Sequence, residues 1–422
     1  MRLDEYTHGS VAIEAAQPAP DRPDVRADVR AADRAADHPA SPVSDPISDR
    51  DRYSRQVLFS GIGAAGQQRL AAAHVAIVGC GAMGAASASL LARAGVGTLT
   101  LIDRDFVEPS NLQRQVLFDE ADARESLPKA EAARRHIARF NSTVTVHPRI
   151  ADLIPANIAE LLSPGSATAN TTPVDIILDA TDNFETRYLI NDFAVQQSIP
   201  WIYAAAIGAY AATMNVLPLA LSSRSEAEGS ASPACNLQPP TACLACIFPK
   251  PPSGNVETCD TAGILSTAVN LAASIQVTEA LKLLTGQPHL MRRTLVSFDL
   301  WSPGPNGALA RSEIAASAPR PGCQVCGERI FTHLAGRGRA HITLCGRDSV
   351  QIHEHHRPVD FPALKARLQA HSDIEALRSN DLLLRFRRGP HTLTLFADGR
   401  AIVQGTTDIV LARSLYARFI GA

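Results

Sequence analysis

From residue 75 onward, apolar residues gather into short unbroken runs at 75–78, 98–103, 175–179 and 201–204. A strand that is apolar at every position, not every second one, must be covered on both faces. These runs therefore predict buried strands of a mainly parallel sheet. Helical stretches at 84–94 and 129–140 fall between them. Strands and helices in this order predict an α/β, doubly wound architecture. The largely apolar stretch 264–284 predicts a long helix, with Gly286 placed as its C-terminal stop.

Beyond Cys326 the pattern changes. Segments 342–352 and 382–387 alternate like half-buried strands, followed by strands at 392–396 and 401–403 and a final helix over 408–419. Asp398-Gly399 is a hairpin-turn signal between two of these strands. Residues 331–422 are thus expected to form a small α+β domain beside a larger one over 51–330. Residues 1–50, rich in Pro, Ala, Asp and Arg without a sustained apolar period, read as a disordered tail. Ser/Thr/Ala/Pro-rich stretches at 163–173 and 222–240 read as surface loops.

Bulk properties narrow the class. A chain of 422 residues with 45% hydrophobic residues can build two real cores. A net charge of −2 gives no reason to expect nucleic acid or an anionic membrane as partner. No apolar run approaches the roughly 20 residues of a membrane span, and the N-terminus has no apolar core for a signal peptide. A cytoplasmic location is expected. Of eight cysteines, four stand in CxxC spacing, which favours metal thiolates over a disulfide frame.

The strand at 75–78 runs into Gly79-Cys80-Gly81-Ala82-Met83-Gly84 and then into a helix. Glycines at such a turn let backbone amides approach an anion at a helix N-terminus, which makes the fold Rossmann-like. Asp103, at the end of the next strand, can accept hydrogen bonds from ribose hydroxyls. Cys80 is expected to pack behind the loop. NAD and ATP fit these features equally, so a dehydrogenase and a nucleotidyl-transferring enzyme both stay open here.

Polar and cationic groups then cluster past a strand end, in Asp105 and in Ser110-Asn111-Leu112-Gln113-Arg114-Gln115. A triphosphate needs such groups more than a dinucleotide does. Arg114 suits a phosphate as a planar fork and Lys129 as a point charge. Asp182, in the turn after strand 175–179, is placed to hold Mg²⁺ through oxygen. Its neighbour Asn183 can instead cap the helix that carries Arg187, and both roles are compatible.

Cys243/Cys246 and Cys323/Cys326 form two knuckles. Four thiolates in a tetrahedral array select zinc and leave no open position, so a structural site is expected. The alternative is a redox pair at one motif and a coincidence at the other. Cys259 stands just before the 264–284 helix, where a helix N-terminus raises the thiolate fraction. An unreactive loop cysteine is the competing reading. The run His353-Glu354-His355-His356 could ligate a metal, although a solvated loop explains it more simply.

Taken in order, RYSRQVLF at 52–59, VAIVGCGAMG at 75–84, LIDRDFVEPSNLQRQ at 101–115, LDATDNFETR at 178–187 and the two knuckles resemble the ThiF/MoeB/HesA adenylyltransferases, relatives of the ubiquitin-activating enzymes. The resemblance implies that Asn111 and Arg114 meet ATP, that Lys129 contacts phosphate and that Asp182 binds magnesium. It also implies a homodimer in which Arg55 reaches into the partner's ATP site, and a reactive Cys259 linked to the activated carrier or used in sulfur transfer. The reaction implied is ATP- and Mg²⁺-dependent adenylation of the C-terminal carboxylate of a ubiquitin-like sulfur-carrier protein. A ThiS-like carrier of thiamine thiazole synthesis is the first expectation and a MoaD-like carrier of molybdopterin synthesis the second, with a sulfur donor protein as further partner. An NAD-dependent oxidoreductase and a non-catalytic scaffold are the readings of other classes. Departures are few: Ala82-Met83 stands where the family has Gly-Leu, and Ser126-Leu127 where it has Gly-Lys.

Overall fold

The computed structural model describes residues 48–162, 173–218, 239–251, 262–336, 343–344, 349–352, 359–380, 383–396, 399 and 401–420. The expected tail over 1–47, both Ser/Pro-rich loops for the most part, Cys259, Cys345, His353–His356 and Asp398 lie outside them.

An eight-stranded sheet has the order β3-β2-β1-β4-β5-β6-β7-β8. Its first half is parallel: β3 (Thr145–Arg149), β2 (Thr98–Ile102), β1 (His74–Val78), β4 (Ile176–Asp179) and β5 (Trp201–Ile207). The unbroken apolar runs have the expected cause. Val75 and Ile77 enter a core shared with Leu91, Ile137 and Val277, while Ala76 and Val78 enter another with Ile158, Tyr188 and Phe193. Helices Ala82–Ala94, Lys129–Phe140 and Ser266–Leu284 cover the first face, and Ile158–Leu162 and Phe184–Gln197 the second. Strand order reverses between β1 and β4, which opens a crevice at their carboxyl ends. Among the described residues no helix is long and apolar enough to cross a membrane.

The second half of the sheet is antiparallel: β6 (Tyr210–Val216), β7 (Thr294–Pro303) and β8 (Leu309–Ala315). Gly208, at φ +55°, makes the tight return from β5 to β6. The last strand, β8, is exposed along nearly its whole length and has no buried apolar period.

The C-terminal sheet is antiparallel, in the order β11-β12-β13-β14-β10-β9. It comprises β9 (Thr343–Leu344), β10 (Ser349–Ile352), β11 (Glu375–Ser379), β12 (Leu383–Arg388), β13 (His391–Phe396) and β14 (Ala401–Gln404). Helices Phe361–Gln369 and Ile409–Phe419 pack on one face, around Leu384, Phe386, Leu393, Leu395 and Val403. Gly399, at φ +89°, donates its N–H to the Phe396 carbonyl in the expected turn between β13 and β14.

The chain enters this region over a buried carboxylate. Asp192 Oδ2 accepts the N–H groups of His333 and Leu334 at 2.8 and 3.3 Å, while its Oδ1 is buried without a partner. Burial pushes this carboxyl up to about 6, against the two N–H groups that favour its charge. Because the folded value lies above the unfolded one, the stabilisation is full below pH ~4 and is lost as pH rises through ~6. Asp192→Asn should therefore flatten the fall in thermal stability between pH 4 and 7, by about 2 kcal/mol. Thermal midpoints of both proteins across that range check this; parallel profiles would contradict it.

Candidate active site

The crevice at the β1/β4 switch point forms a cleft enclosing about 1040 Å³, open solvent at its mouth included. Its floor is the glycine loop. Gly79 sits at φ +88°, and a Cβ there would meet the Ala180 carbonyl oxygen at 2.7 Å. A Cβ on Gly84 would lie 1.9 Å from the Gly79 carbonyl oxygen. The turn thus needs glycine at both positions for backbone approach, whereas Ala82 faces the cleft with its methyl accommodated. Gly84→Ala is expected to destabilise the fold by about 1–3 kcal/mol through overpacking. An unchanged urea midpoint would show that the loop can shift. No side chain caps the helix that starts at Ala82, so its first amides keep the unpaired N–H groups that suit an anion.

Cys80 is fully buried behind the loop with its Sγ 3.8 Å from the Lys129 carbonyl oxygen, and burial pushes its thiol up. It is therefore no nucleophile. Asp103 Oδ2 accepts the Cys80 N–H at 2.6 Å and Oδ1 the Asp105 N–H at 2.7 Å, so this carboxylate shapes the loop as well as lining the cleft. Burial pushes its carboxyl up, and the Lys129 charge opposes this. Lys129, buried at the start of its helix, places its ammonium 3.3 Å from Asp105 Oδ2.

Arg104, which no motif in the sequence marks, also lines the cleft. Its guanidinium lies 2.8 Å from Asp152 Oδ2 and 3.8 Å from Asp105 Oδ1. Burial disfavours its charge, but Asp152, Asp105, Asp103 and Asp182 outweigh that and raise its value. Its position directly after a strand-end aspartate was the available signal.

Asp182 is exposed at the rim. Asn183 also lines the cleft, while its Oδ1 accepts the Thr186 N–H at 2.8 Å and so caps the helix Phe184–Gln197. The turn is braced from below. Buried Asp179 pairs with Arg187 at 3.2 Å and holds the Thr181 N–H and hydroxyl, and Arg187 donates to the Thr181 carbonyl at 2.6 Å. Gln276 ties this strand end to β5 by donating to the carbonyls of Asp179 and Ile202.

Arg114 and Gln115 also line the cleft. Arg114 donates to its own turn at the Ser110 carbonyl, 2.8 Å away. Gln115 is buried with Oε1 unpartnered. Asn111 is not among the lining residues; its buried side chain accepts the Glu108 N–H at 3.1 Å and closes a short 3₁₀ turn. Arg55 is also absent from the lining. It is exposed on helix Ser54–Leu58, beside exposed Leu58 and Phe59.

Away from the cleft, the four knuckle sulfurs come together. Cys243–Cys246 is 3.8 Å, Cys243–Cys323 3.7 Å and Cys246–Cys326 3.4 Å, with all four Sγ within 4.8 Å of one another. A Zn–S bond of about 2.3 Å in tetrahedral geometry needs sulfurs about 3.8 Å apart. A disulfide needs about 2.05 Å. The donor set therefore fits a closed zinc site. The Arg320 N–H on Cys246 Sγ at 3.2 Å supports thiolate character.

The ThiF family pattern matches residues 53–325. The sulfur carrier protein ThiS adenylyltransferase of Bacillus subtilis is 42% identical over 88% of this chain and 99% of its own length. The sulfur carrier protein adenylyltransferase of Thermus thermophilus is 34% identical over 66% of this chain and 91% of its own. Among solved structures, E. coli MccB superposes with a TM-score of 0.51 at 22% identity over 67% of this chain and 74% of that one, a likeness of fold alone.

Proposed function

The chain belongs to the ThiF family and is an adenylyltransferase, and from that premise we propose that its cleft activates the C-terminal carboxylate of a ubiquitin-like sulfur carrier. A carboxylate oxygen attacks the α-phosphorus of ATP in line. A carboxyl–phosphorus bond forms, the bond to the β-phosphate oxygen breaks, and pyrophosphate leaves with the electron pair. The glycine-loop amides cradle phosphate, and Lys129 and Arg114 set positive charge where it develops on the equatorial and departing oxygens. Asp105 holds the Lys129 ammonium in place at 3.3 Å. Gln115 Oε1 offers an acceptor to the nucleotide.

An exposed carboxylate at the rim suits a hard, partly hydrated cation, so Asp182 would hold Mg²⁺. When bound, the ion neutralises charge on the departing pyrophosphate. Arg55 supplies a further cation across a homodimer, a role supported by its exposure beside two large apolar side chains, Leu58 at 80% and Phe59 at 64%. In the next step a sulfur nucleophile, the Cys259 thiolate or a donor protein's sulfur, attacks the acyl carbon; a carbon–sulfur bond forms, the carbon–oxygen bond to AMP breaks, and AMP leaves with the electron pair.

The observation that carries the reading is the joining of glycine loop, Lys129–Asp105 pair and Asp182 in one cleft. A ThiS-like carrier is favoured because the B. subtilis relative is matched over nearly its whole length. ATP–pyrophosphate exchange with ThiS-like and MoaD-like carriers, tested separately, decides the pathway. Exchange with the ThiS-like carrier is expected; exchange with the MoaD-like carrier alone would move the enzyme to molybdopterin synthesis.

A further inference from the structure

On the reading that this cleft binds ATP, we infer that the C-terminal sheet positions the nucleotide site, acting through Arg385 and Phe106. The segment that follows β2 serves both regions. Asp103, Arg104 and Asp105 line the cleft, whereas Phe106 turns away and is buried among Leu383, Phe396 and Ile402 of the C-terminal sheet. The two faces of β12 explain this. Leu384 and Phe386 point into the sheet's own helix-covered core, which leaves Leu383 and Arg385 to meet Phe106 in the segment after β2.

Arg385 holds Phe106 from above. Its guanidinium carbon lies 4.4 Å from the ring centroid and a nitrogen lies 3.8 Å from Glu108 Oε1. Arg385 does not line the cleft, so it acts on ATP only through the segment it grips.

A second grip lies beside the first. Arg378 donates to the Arg124 carbonyl at 2.7 Å and Asn380 to the Glu125 carbonyl at 3.5 Å. Those carbonyls end the helix Glu120–Glu125, just before Leu127 and Lys129. The two gripped segments are laced together by the Val107 N–H on the Leu127 carbonyl at 2.8 Å and the Lys129 N–H on the Asp105 carbonyl at 2.9 Å. One segment carries Asp105 and the other Lys129. The C-terminal sheet therefore clamps, from outside, the backbone that holds these two charges together, a placement that sets how well the site is preorganised for phosphate.

The test compares full-length wild type with Arg385→Ala and Arg385→Lys, and with Arg387→Ala on the same strand, where Arg387 pairs with exposed Glu375. Calorimetric ATP affinity, KM and kcat in pyrophosphate exchange, and the thermal midpoint are measured for each. Arg385→Ala should weaken ATP binding and raise the ATP KM about 5- to 10-fold, with kcat within about twofold. Arg385→Lys, which keeps a cation over the ring, should recover part of that affinity, and Arg387→Ala should match wild type. Unchanged ATP affinity in a folded Arg385→Ala protein would overturn the inference. So would an equal loss in Arg387→Ala, which would mark a general weakening of the domain. If wild type binds ATP but shows no exchange with any carrier, the proposed reaction fails, and ATP affinity alone then decides the role of Arg385.

Discussion

Asp182→Ala is expected to lower carrier-dependent pyrophosphate exchange by about 10²- to 10³-fold without unfolding the protein. The carboxylate is exposed at the cleft rim, and the buried Arg187 keeps its direct partner Asp179 without it. The turn around it is held by other atoms: Asp179 grips Thr181, Arg187 grips the Thr181 carbonyl, and Asn183 caps the following helix. Removal of the side chain should therefore leave the thermal midpoint near that of wild type, within the ~0.5 kcal/mol common for surface changes. On the proposed role, what is lost is the oxygen ligand for a divalent cation held against the phosphates. Asp182→Asn should fall between the two and need more Mg²⁺ for half-maximal rate. Full exchange in a folded Asp182→Ala protein would overturn the role given to this residue.

Cys323→Ala carries the largest expected effect on stability. Four sulfurs set for zinc, three of them buried, become three. Structural zinc in small domains contributes about 10 kcal/mol or more at neutral pH. Loss of bound zinc should come with a fall in thermal midpoint of about 10 °C or more. The cluster joins the segment after β6 to the segment after β8. Around it, the Leu244 N–H meets Asn191 Oδ1 at 2.9 Å and the Ala242 N–H meets the Ala316 carbonyl at 2.9 Å. None of the four cysteines lines the cleft. Exchange per folded molecule at low temperature should stay within about threefold of wild type. Metal analysis and a thermal scan test this together. A metal-free protein with the wild-type midpoint would contradict the structural role.

Much of the cleft was legible because its chemistry is local in the chain. Gly79, Asp103, Lys129 and Asp182 all sit at or just past strand or helix ends, where a doubly wound sheet gathers ligands. Three features escaped. Arg104 has no motif of its own, and only folding brings Asp152 to it, from the chain past β3. β3 itself contains Pro148 and partly exposed residues, so it carried no apolar run; its place at the sheet edge makes the proline tolerable. The antiparallel strands β6 and β8 were equally hard to see, because β6 interrupts its apolar residues with Thr213 and Asn215 and β8 faces water.

Asn111 shows a different limit. The motif around it is clear in the sequence, yet its side chain closes a turn beside the cleft and does not line it. The glycine loop alone fitted NAD as well as ATP. The family match and the adenylyltransferase relatives separate the two, and the oxidoreductase and scaffold readings fall with them.

The most direct test of the account is the intact mass of a ThiS-like carrier after incubation with this enzyme, ATP and Mg²⁺. A carrier species heavier by one adenylyl group (AMP less water), absent when the terminal glycine is deleted and strongly reduced when Asp182→Ala replaces wild type, is the predicted result. A carrier of unchanged mass, with ATP consumed or untouched, would contradict the claim that this cleft adenylates a carrier's C-terminal carboxylate.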